Sequence, residues 1–164
     1  MIKPLNIVID TREQAPWAFD PSNVVTEVHG LGAGDYALLE DCEKVKGRKT
    51  LAVRFAIERK SLDDYIGTIS GGWDRFQREL VRMENFPARV VIIESDFDKC
   101  CFIETEQGIE PPDHNHHRLT PSFIKRRTAE LTMQGVCVLF CGNAELAAGM
   151  ALRIFKRRAD RCQI

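Results

Sequence analysis

The residues in this chain that are best suited to chemistry lie at the end of an alternating segment, Leu51 to Lys60. The odd positions of that segment are large and apolar: Leu51, Val53, Phe55 and Ile57. A period of two is typical of a strand that buries one face. We therefore expect Glu58 and Lys60, at even positions, to lie side by side on the opposite face at the end of the strand.

A second acid, Asp35, follows the glycine-rich turn 29–34 and begins another predicted strand, 35–40. The polar segment 41–50 separates this strand from the first, which predicts a hairpin. Carboxylates on neighbouring strands can hold a hard divalent cation such as Mg²⁺ or Mn²⁺, and a lysine beside them can attend the attacking water or the phosphate. The same residues also fit an ordinary solvated strand end, and their spacing alone leaves both interpretations open.

Alternating strands and helices must position these residues. Strands are predicted at residues 5–10, 24–28, 35–40, 51–60, 89–94 and 136–141. Helices are predicted at residues 61–70, 73–85, 120–134 and 143–161. Because helices join the last three strands, we expect those strands to be parallel in an α/β fold. Residues 96–119 are irregular, and we expect them to form a mobile loop.

The composition limits the classes of function. The 164 residues suit one domain, and 23 Lys and Arg balance 24 Asp and Glu, so a nucleic-acid surface has to come from local basic clusters. The absence of a targeting segment and of a long apolar run indicates a cytoplasmic protein without a membrane partner. Six irregularly spaced cysteines indicate reduced thiols, and neither Cys100-Cys101 nor the histidines of segment 114–117 show the spacing of zinc ligands.

Three motifs resemble those of the XPF-type structure-specific endonuclease domain, whose signature is GDY, a variable gap and ERKxxxD. They are Asp10-Thr11-Arg12-Glu13, Gly34-Asp35-Tyr36 and Glu58-Arg59-Lys60 followed by Asp64. The resemblance covers residues 5–95 well, and beyond them it rests on the order of the predicted elements. The combined signature is long and rich in charged residues, which distinguishes it from a chance match.

This resemblance implies a restriction-endonuclease-like, PD-(D/E)XK fold: a single α/β domain over residues 1–164 with a central mixed β-sheet flanked by helices. It also implies an endodeoxyribonuclease that depends on Mg²⁺ or Mn²⁺ and cuts branched, flap or otherwise structured DNA in repair or recombination. Such an enzyme would act in the cytoplasm if it is bacterial or phage-encoded, and in the nucleus if it is eukaryotic.

The resemblance also assigns roles by position. Asp35 and Glu58 would be the main metal ligands, with the backbone carbonyl of Arg59 in support. Lys60 would orient the attacking water and help to deprotonate it. Asp10 would be a supporting acid of the metal site, through water or a second metal.

Other residues of the signature would surround this centre. Asp64 would be a second supporting acid, although it also fits a capping box because it lies three residues after Ser61. Arg12 and Arg59 would hold phosphate or buttress the acids. Glu13 stays open between a functional and a structural role.

We expect DNA contacts from the predicted helix 73–85, which follows the motif closely. Arg75 and Arg78 lie on its polar side and are the best candidates for phosphate contacts. A solvated helix face would look the same in the sequence. Trp73 could stack on a base, but a place in the hydrophobic core explains it better.

Many members of this family carry tandem helix-hairpin-helix modules after the nuclease domain, and those modules grip duplex DNA. Segment 97–164 shows no such pair. Affinity for a DNA junction would then come from this domain, from a dimer or from a partner protein that supplies a DNA-gripping module. Because the signature is intact, we expect a homodimer rather than a pairing with an inactive partner.

Two other functions stay open. One is a sequence-specific, restriction-type endonuclease with the same fold, and the other is a non-catalytic DNA-binding or scaffold subunit of a nuclease complex. The intact Asp35, Glu58 and Lys60 favour an enzyme, because a scaffold gains nothing from adjacent buried charges.

Overall fold

A computed structural model describes residues 4–110, 113–114 and 117–162 of the chain. Its strands are β1 (Leu5–Asp10), β2 (Val24–His29), β3 (Tyr36–Leu38), β4 (Cys42–Glu43), β5 (Ala52–Val53), β6 (Ile57–Lys60), β7 (Arg89–Ile93), β8 (Ile103–Thr105), β9 (Gly108–Glu110), β10 (Asp113–His114), β11 (His117–Arg118) and β12 (Val136–Phe140). Its helices are α1 (Leu62–Ile69), α2 (Trp73–Arg82), α3 (Phe97–Cys101), α4 (Pro121–Met133) and α5 (Ala144–Cys162).

Six of the strands form one mixed sheet in the order β12-β7-β6-β3-β1-β2. β6, β7 and β12 are parallel, as predicted from the helices that join them. β3 is antiparallel to both β1 and β6, so the predicted hairpin is confirmed. In this arrangement the end of β1, the start of β3 and the course of β6 bring Asp10, Asp35 and Glu58 to the same part of the sheet.

Hydrophobic clusters cover both faces of the sheet. β7 contributes Val90 and Ile92 to the cluster that it forms with α5. It contributes Val91 and Ile93 to the cluster that it forms with α1, α2 and α4. The continuous apolar run of β7 is therefore buried on both faces, which is what such a run predicts.

The apolar residues of the final helix predict Leu146, Met150, Ile154 and Phe155 as inward positions, but the helix turns a partly different face to the sheet. Phe155 is fully buried as predicted, but Leu146 and Met150 are 61% and 42% exposed. Ala147 and Ala151 are buried in their place. Small side chains let a helix approach a sheet closely, so the larger residues are left on the outer face of α5.

The predicted strand 51–60 is wrong in its first half. β5 pairs with β4 in a separate ribbon, the chain bends, and β6 begins only at Ile57. The bend buries Phe55, Ala56 and Ile57 in succession. Gly34, at a φ of +70°, lies so close that a Cβ on it would be 2.5 Å from the Cβ of Ala56. This contact comes from a distant segment, so alternation within residues 51–60 could not reveal it.

The prediction of an irregular, mobile loop at residues 96–119 is wrong for the described part of that segment. It contains α3, the hairpin β8–β9 and the paired strands β10 and β11. Residues 111–112 and 115–116 lie outside the described residues. Cys100 and Cys101 are buried in the cluster below α4, and burial raises the pKa of the Cys100 thiol to about 12. A neutral, buried thiol does not favour zinc.

Candidate active site

Asp35 is held between two strands by main-chain hydrogen bonds. Its N–H donates to the carbonyl of Ile57 at 2.9 Å, and its own carbonyl accepts from the N–H of Asp10 at 2.8 Å. One carboxylate oxygen, Oδ2, accepts from the backbone N–H of Arg59 at 2.8 Å. The side chain of Asp35 is therefore fixed against β6, beside the residues that the alternation of that strand singled out.

Glu58 and Lys60 form an ion pair on one face of β6. Lys60 Nζ lies 2.7 Å from Glu58 Oε1, and the two side chains are only 12% and 10% exposed. The ammonium also lies 5.5 Å from the centre of the Phe76 ring on α2. The structure thus places the acid and the lysine together on the face predicted from their spacing of two.

The protonation of these groups depends on burial and on their mutual charges. Burial, and after it the nearby charge of Glu58, raises the pKa of Asp35 to about 7. Burial alone would lower the pKa of Lys60, but the charge and hydrogen bond of Glu58 outweigh it, so its pKa lies above the usual value. Lys60 is therefore an ammonium at neutral pH, whereas Asp35 is only partly ionised.

The raised pKa of Asp35 predicts how the metal-free protein responds to pH. Between about pH 4 and pH 7 the folded protein keeps a proton on Asp35 that the unfolded chain, with a pKa of 3.8, has released. Rising pH therefore favours the unfolded state over this range. Asp35→Asn should remove this contribution and raise the melting temperature above pH 7 by about 2–8 °C, equivalent to about 1–2 kcal/mol.

Thermal melts of both proteins in EDTA, at several pH values between about 5 and 8, check this prediction. The two melting curves should converge at the acid end and separate as the pH rises. A constant difference at every pH would contradict it. Asp160→Asn, at an exposed position on α5, is the control and should track the wild type throughout.

The donor set at this site suits a divalent cation. Among the described residues there is no group of three or more acidic, histidine or cysteine side chains arranged to hold a metal. Asp35 and Glu58 nevertheless form a pair of like charges in a site of low exposure, where a cation would relieve their repulsion. Mg²⁺ is usually held by one or two carboxylates, with water and substrate phosphate completing its shell. Two carboxylates are therefore enough for this kind of site.

Asp10 lies behind this pair and is already fully hydrogen-bonded. Its Oδ1 accepts from Arg12 at the backbone N–H (2.8 Å) and at Nε (2.6 Å), and its Oδ2 accepts from the N–H of Leu31 at 2.6 Å. Burial opposes its ionisation, but these bonds prevail and keep its pKa below the usual range. The structure supports a buttressing role, whereas direct metal binding by Asp10 stays a prediction.

Asp64 has both of the properties that the sequence left open. Its N–H donates to Ser61 Oγ at 3.1 Å, and its carboxylate accepts from the same hydroxyl at 2.8 Å, so Ser61 caps α1 as predicted. Its exposed side chain also lines a cavity of about 490 Å³ together with Glu58 and Lys60. Capping and a place in the cleft are thus compatible.

Arg59 points to the other side of β6 and is clamped by two acids. Its Nε and Nη2 donate to the two oxygens of Glu94 at 2.7 and 2.9 Å, and its Nη1 donates to Glu13 at 2.6 Å. Trp17 Nε1 donates to Glu94 at 2.5 Å, and the Trp17 ring stacks on Tyr36 with the centroids 4.4 Å apart. The guanidinium of Arg59 is therefore committed to carboxylates, which favours the predicted buttressing role over a contact with phosphate.

The residues that complete this clamp, Glu94 and Trp17, were missed in the sequence. Glu94 ends the apolar run of β7, and its position directly after a buried strand was the available signal. No sequence signal pointed to Trp17, since it lies in an irregular segment. Glu13 has a structural contact with Arg59, but it also lines the cavity that contains Glu58 and Lys60, so a functional role for Glu13 stays a prediction.

A second cavity, of about 340 Å³, continues the cleft along α2 and contains most of the expected phosphate contacts. Arg12 and Arg75 line it with Asp35, Glu58 and Lys60, and Arg82 lies there as well. Arg78 is exposed but is not among the lining residues of this cavity. Arg82 is therefore a better placed candidate than Arg78, whose DNA contact stays a prediction.

Trp73 is already occupied within the protein. The guanidinium of Arg127 lies 4.1 Å from the centre of its ring, and Trp73 packs against the cluster below α1 and α2. This agrees with the expectation of a core position.

Comparison with known proteins gives both a family and related structures. The ERCC4 domain matches residues 9–154. The chain is similar to XPF from Aeropyrum pernix in complex with DNA, with a TM-score of 0.61 and 18% identity over 96% of this chain and 66% of that one. A second structure of XPF from Aeropyrum pernix gives a TM-score of 0.64 and 17% identity, with coverage of 93% and 61%.

These structures confirm the predicted α/β fold with a mixed sheet flanked by helices. The chain spans just under two thirds of the length of either of them. No curated protein sequence matches it. Among the described residues, no helix combines the length and the apolar character needed to cross a membrane.

Proposed function

The chain belongs to the ERCC4 domain family, as its motifs indicated, and from this we propose that it is a metal-dependent DNA endonuclease that cuts branched or flap DNA. One observation carries the proposal: Asp35, Glu58 and Lys60 line the same cleft as Arg12 and Arg75. Acids, a buried ammonium and arginines in one cleft match the requirements of phosphodiester cleavage.

Asp35 and Glu58 would hold Mg²⁺ or Mn²⁺ in this cleft. The metal would polarise the scissile phosphate and lower the pKa of a bound water. The protein's own contribution is to fix both carboxylates before substrate arrives. The backbone N–H of Arg59 holds Asp35, and Lys60 holds Glu58.

Lys60 and Asp64 would play different roles in the activation of the attacking water. Because Glu58 keeps Lys60 charged, its ammonium can donate to the attacking water or to a phosphate oxygen, but it cannot accept a proton. Asp64 lines the same cavity and offers an exposed carboxylate that can accept the proton of the water. We therefore propose that Lys60 orients the attacking water. Asp64, rather than Lys60 as predicted from the sequence, would help to deprotonate that water.

The arginines would position the DNA. Arg75 and Arg82 follow the cleft along α2, and Arg12 lies beside Asp10 at the other wall with its side chain 67% exposed. These cations can contact phosphates on either side of the scissile bond without reading sequence. We propose that the cutting serves DNA repair or recombination in the cytoplasm.

We further propose that two copies of the chain pair through β12 and α5. β12 is an edge strand of the sheet, and on α5, which follows it, Leu146 and Met150 are 61% and 42% exposed. Exposed apolar side chains beside an unpaired strand edge are typical of an interface. A partner protein with a DNA-gripping module is the alternative occupant of this surface.

Sedimentation equilibrium tests the pairing. We expect a dimer for the wild type at micromolar concentration and a monomer for Leu146→Glu, because the substitution puts a charge on this apolar surface. Ile109→Glu, at an apolar residue on β9 that is 76% exposed, is the control and should remain dimeric. A monomeric wild type would refute the homodimer.

A panel of DNA substrates tests the function. The protein is incubated with flap, fork, Holliday-junction and plain duplex DNA, in Mg²⁺ or Mn²⁺ and in EDTA. We expect metal-dependent cutting of the branched substrates near the junction. Cutting of plain duplex at fixed sequences would instead support restriction, and binding without cutting would support a scaffold subunit.

A further inference from the structure

A groove of about 580 Å³ opens beside the catalytic cleft, between α1 and the start of α2. Of the residues that line this groove, Lys60 also lines both catalytic cavities, Asp64 also lines the cavity of about 490 Å³, and Arg75 also lines the cavity of about 340 Å³. The groove is therefore continuous with the place where the scissile phosphate would lie. Its volume is in the range of sites that bind small organic groups.

The groove is open because half of the residues that line it are small. Gly67, Thr68 and Gly71 contribute to it. A Cβ added to Gly67 or to Gly71 would meet no atom within 4 Å, which shows that space is free on this side of α1. This side of the groove is thus not filled by side chains.

The groove is also preformed. The N–H of Gly72 donates to the carbonyl of Gly67 at 2.8 Å, and a Cβ on Gly72 would lie 3.0 Å from that same carbonyl oxygen and 3.2 Å from the Cα of Thr68. Such close main-chain packing fixes the turn between α1 and α2. A ligand would therefore meet a rigid wall and would not have to order it.

Four of the ten residues that line the groove are charged. The cations Lys60 and Arg75 lie where the groove meets the cleft, and Asp63 and Asp64 lie along α1. This distribution suits a group with a phosphate at the cleft and a neutral, hydrogen-bonding body inside the groove. The acids along α1 disfavour a second phosphate within it. A nucleotide has this distribution of charge.

We propose that the groove binds one unpaired nucleotide of the scissile strand, adjacent to the bond that is cut. The proposal rests on the endonuclease function and adds a source of selectivity to it. A base inside a duplex must leave its partner to enter the groove, whereas a base at a junction or flap is already free. The groove would thus favour branched DNA without a separate DNA-gripping module.

Filling the groove from Gly67 tests this proposal. Gly67→Leu places a side chain in the open space on α1 and replaces glycine with a good helix former, so the fold should be retained, with a melting temperature at least that of the wild type. We expect its KM for a flap substrate to rise on the order of tenfold or more. Gly67→Ala leaves most of the space free and should stay within about twofold of the wild type.

Abasic substrates distinguish a nucleotide site from a general loss of activity. An abasic residue is placed in turn at each position within three nucleotides of the cut. At one position, and only there, the base loss should raise the KM of the wild type and abolish the difference between the wild type and Gly67→Leu.

The outcomes separate this proposal from the function on which it rests. Normal cutting by Gly67→Leu, or a penalty that is the same at every abasic position, would overturn the nucleotide site and leave the endonuclease intact. A wild type that cuts no DNA in Mg²⁺ or Mn²⁺ would overturn both.

Discussion

Glu58→Gln and Asp35→Asn should each reduce the cleavage of a flap substrate by roughly a thousandfold or more. Each substitution keeps the shape of the side chain and removes the negative charge that a divalent cation needs. In Glu58→Gln the ammonium of Lys60 also loses the partner that lies 2.7 Å from it. The loss should appear in the rate constant of the cleavage step, measured under single-turnover conditions with enzyme in excess.

DNA binding should survive both substitutions. Asp35 and Glu58 repel phosphate, so neutralising either should leave the affinity for a flap unchanged or make it tighter when it is measured in Ca²⁺ or EDTA. Asp160→Asn, on the exposed face of α5, is the matched control and should cut like the wild type. Normal rates for both active-site variants would show that the metal site has been placed on the wrong residues.

Glu94→Gln should reduce kcat by about 10- to 100-fold although Glu94 lies behind the catalytic residues. Glu94 holds the Arg59 guanidinium through two hydrogen bonds. The backbone of Arg59 in turn holds Asp35, so a loosened clamp lets that carboxylate drift. The amide of glutamine can accept at only one atom, and its NH₂ group faces a guanidinium that also only donates. KM should change little, because Arg12 and Arg75 are untouched.

Stability and fluorescence separate this positioning role from simple unfolding. In Glu94→Gln the nearly buried Arg59 keeps only one full acidic partner, Glu13. We expect this to lower the free energy of unfolding by on the order of 3 kcal/mol, so cleavage is measured well below the melting temperature. Trp17 donates to Glu94, and its emission should shift in Glu94→Gln. Glu94→Asp keeps the charge and should recover part of kcat. A Glu94→Gln variant with the wild-type kcat would rule out the clamp.

The sequence predicts best the features that are determined locally. The apolar run of β7 and the Ser61 cap are both found in the structure. Glu58 and Lys60 also lie on one face of β6, as their spacing predicted, although the first half of the predicted strand 51–60 is wrong. These features depend on periodicity or on residues within one turn, so a local reading of the chain captures them.

Other features depend on contacts between distant segments. The bend before β6 follows from the approach of Gly34 to Ala56, and the outward turn of Leu146 follows from the alanines that α5 packs on the sheet. The clamp on Arg59 joins residues from three parts of the chain: Glu13, Trp17 and Glu94. Neither propensity nor spacing contains such information. The roles of Asp35 and Glu58 came from a family resemblance rather than from spacing alone.

The most direct test of the central claim is the cleavage of an end-labelled flap substrate by excess wild-type protein, followed over time. We expect no product in EDTA, product near the junction once Mg²⁺ or Mn²⁺ is added, and an immediate stop when EDTA is restored. A substrate that stays intact in both metals, or cutting that continues at the same rate in EDTA, would contradict it.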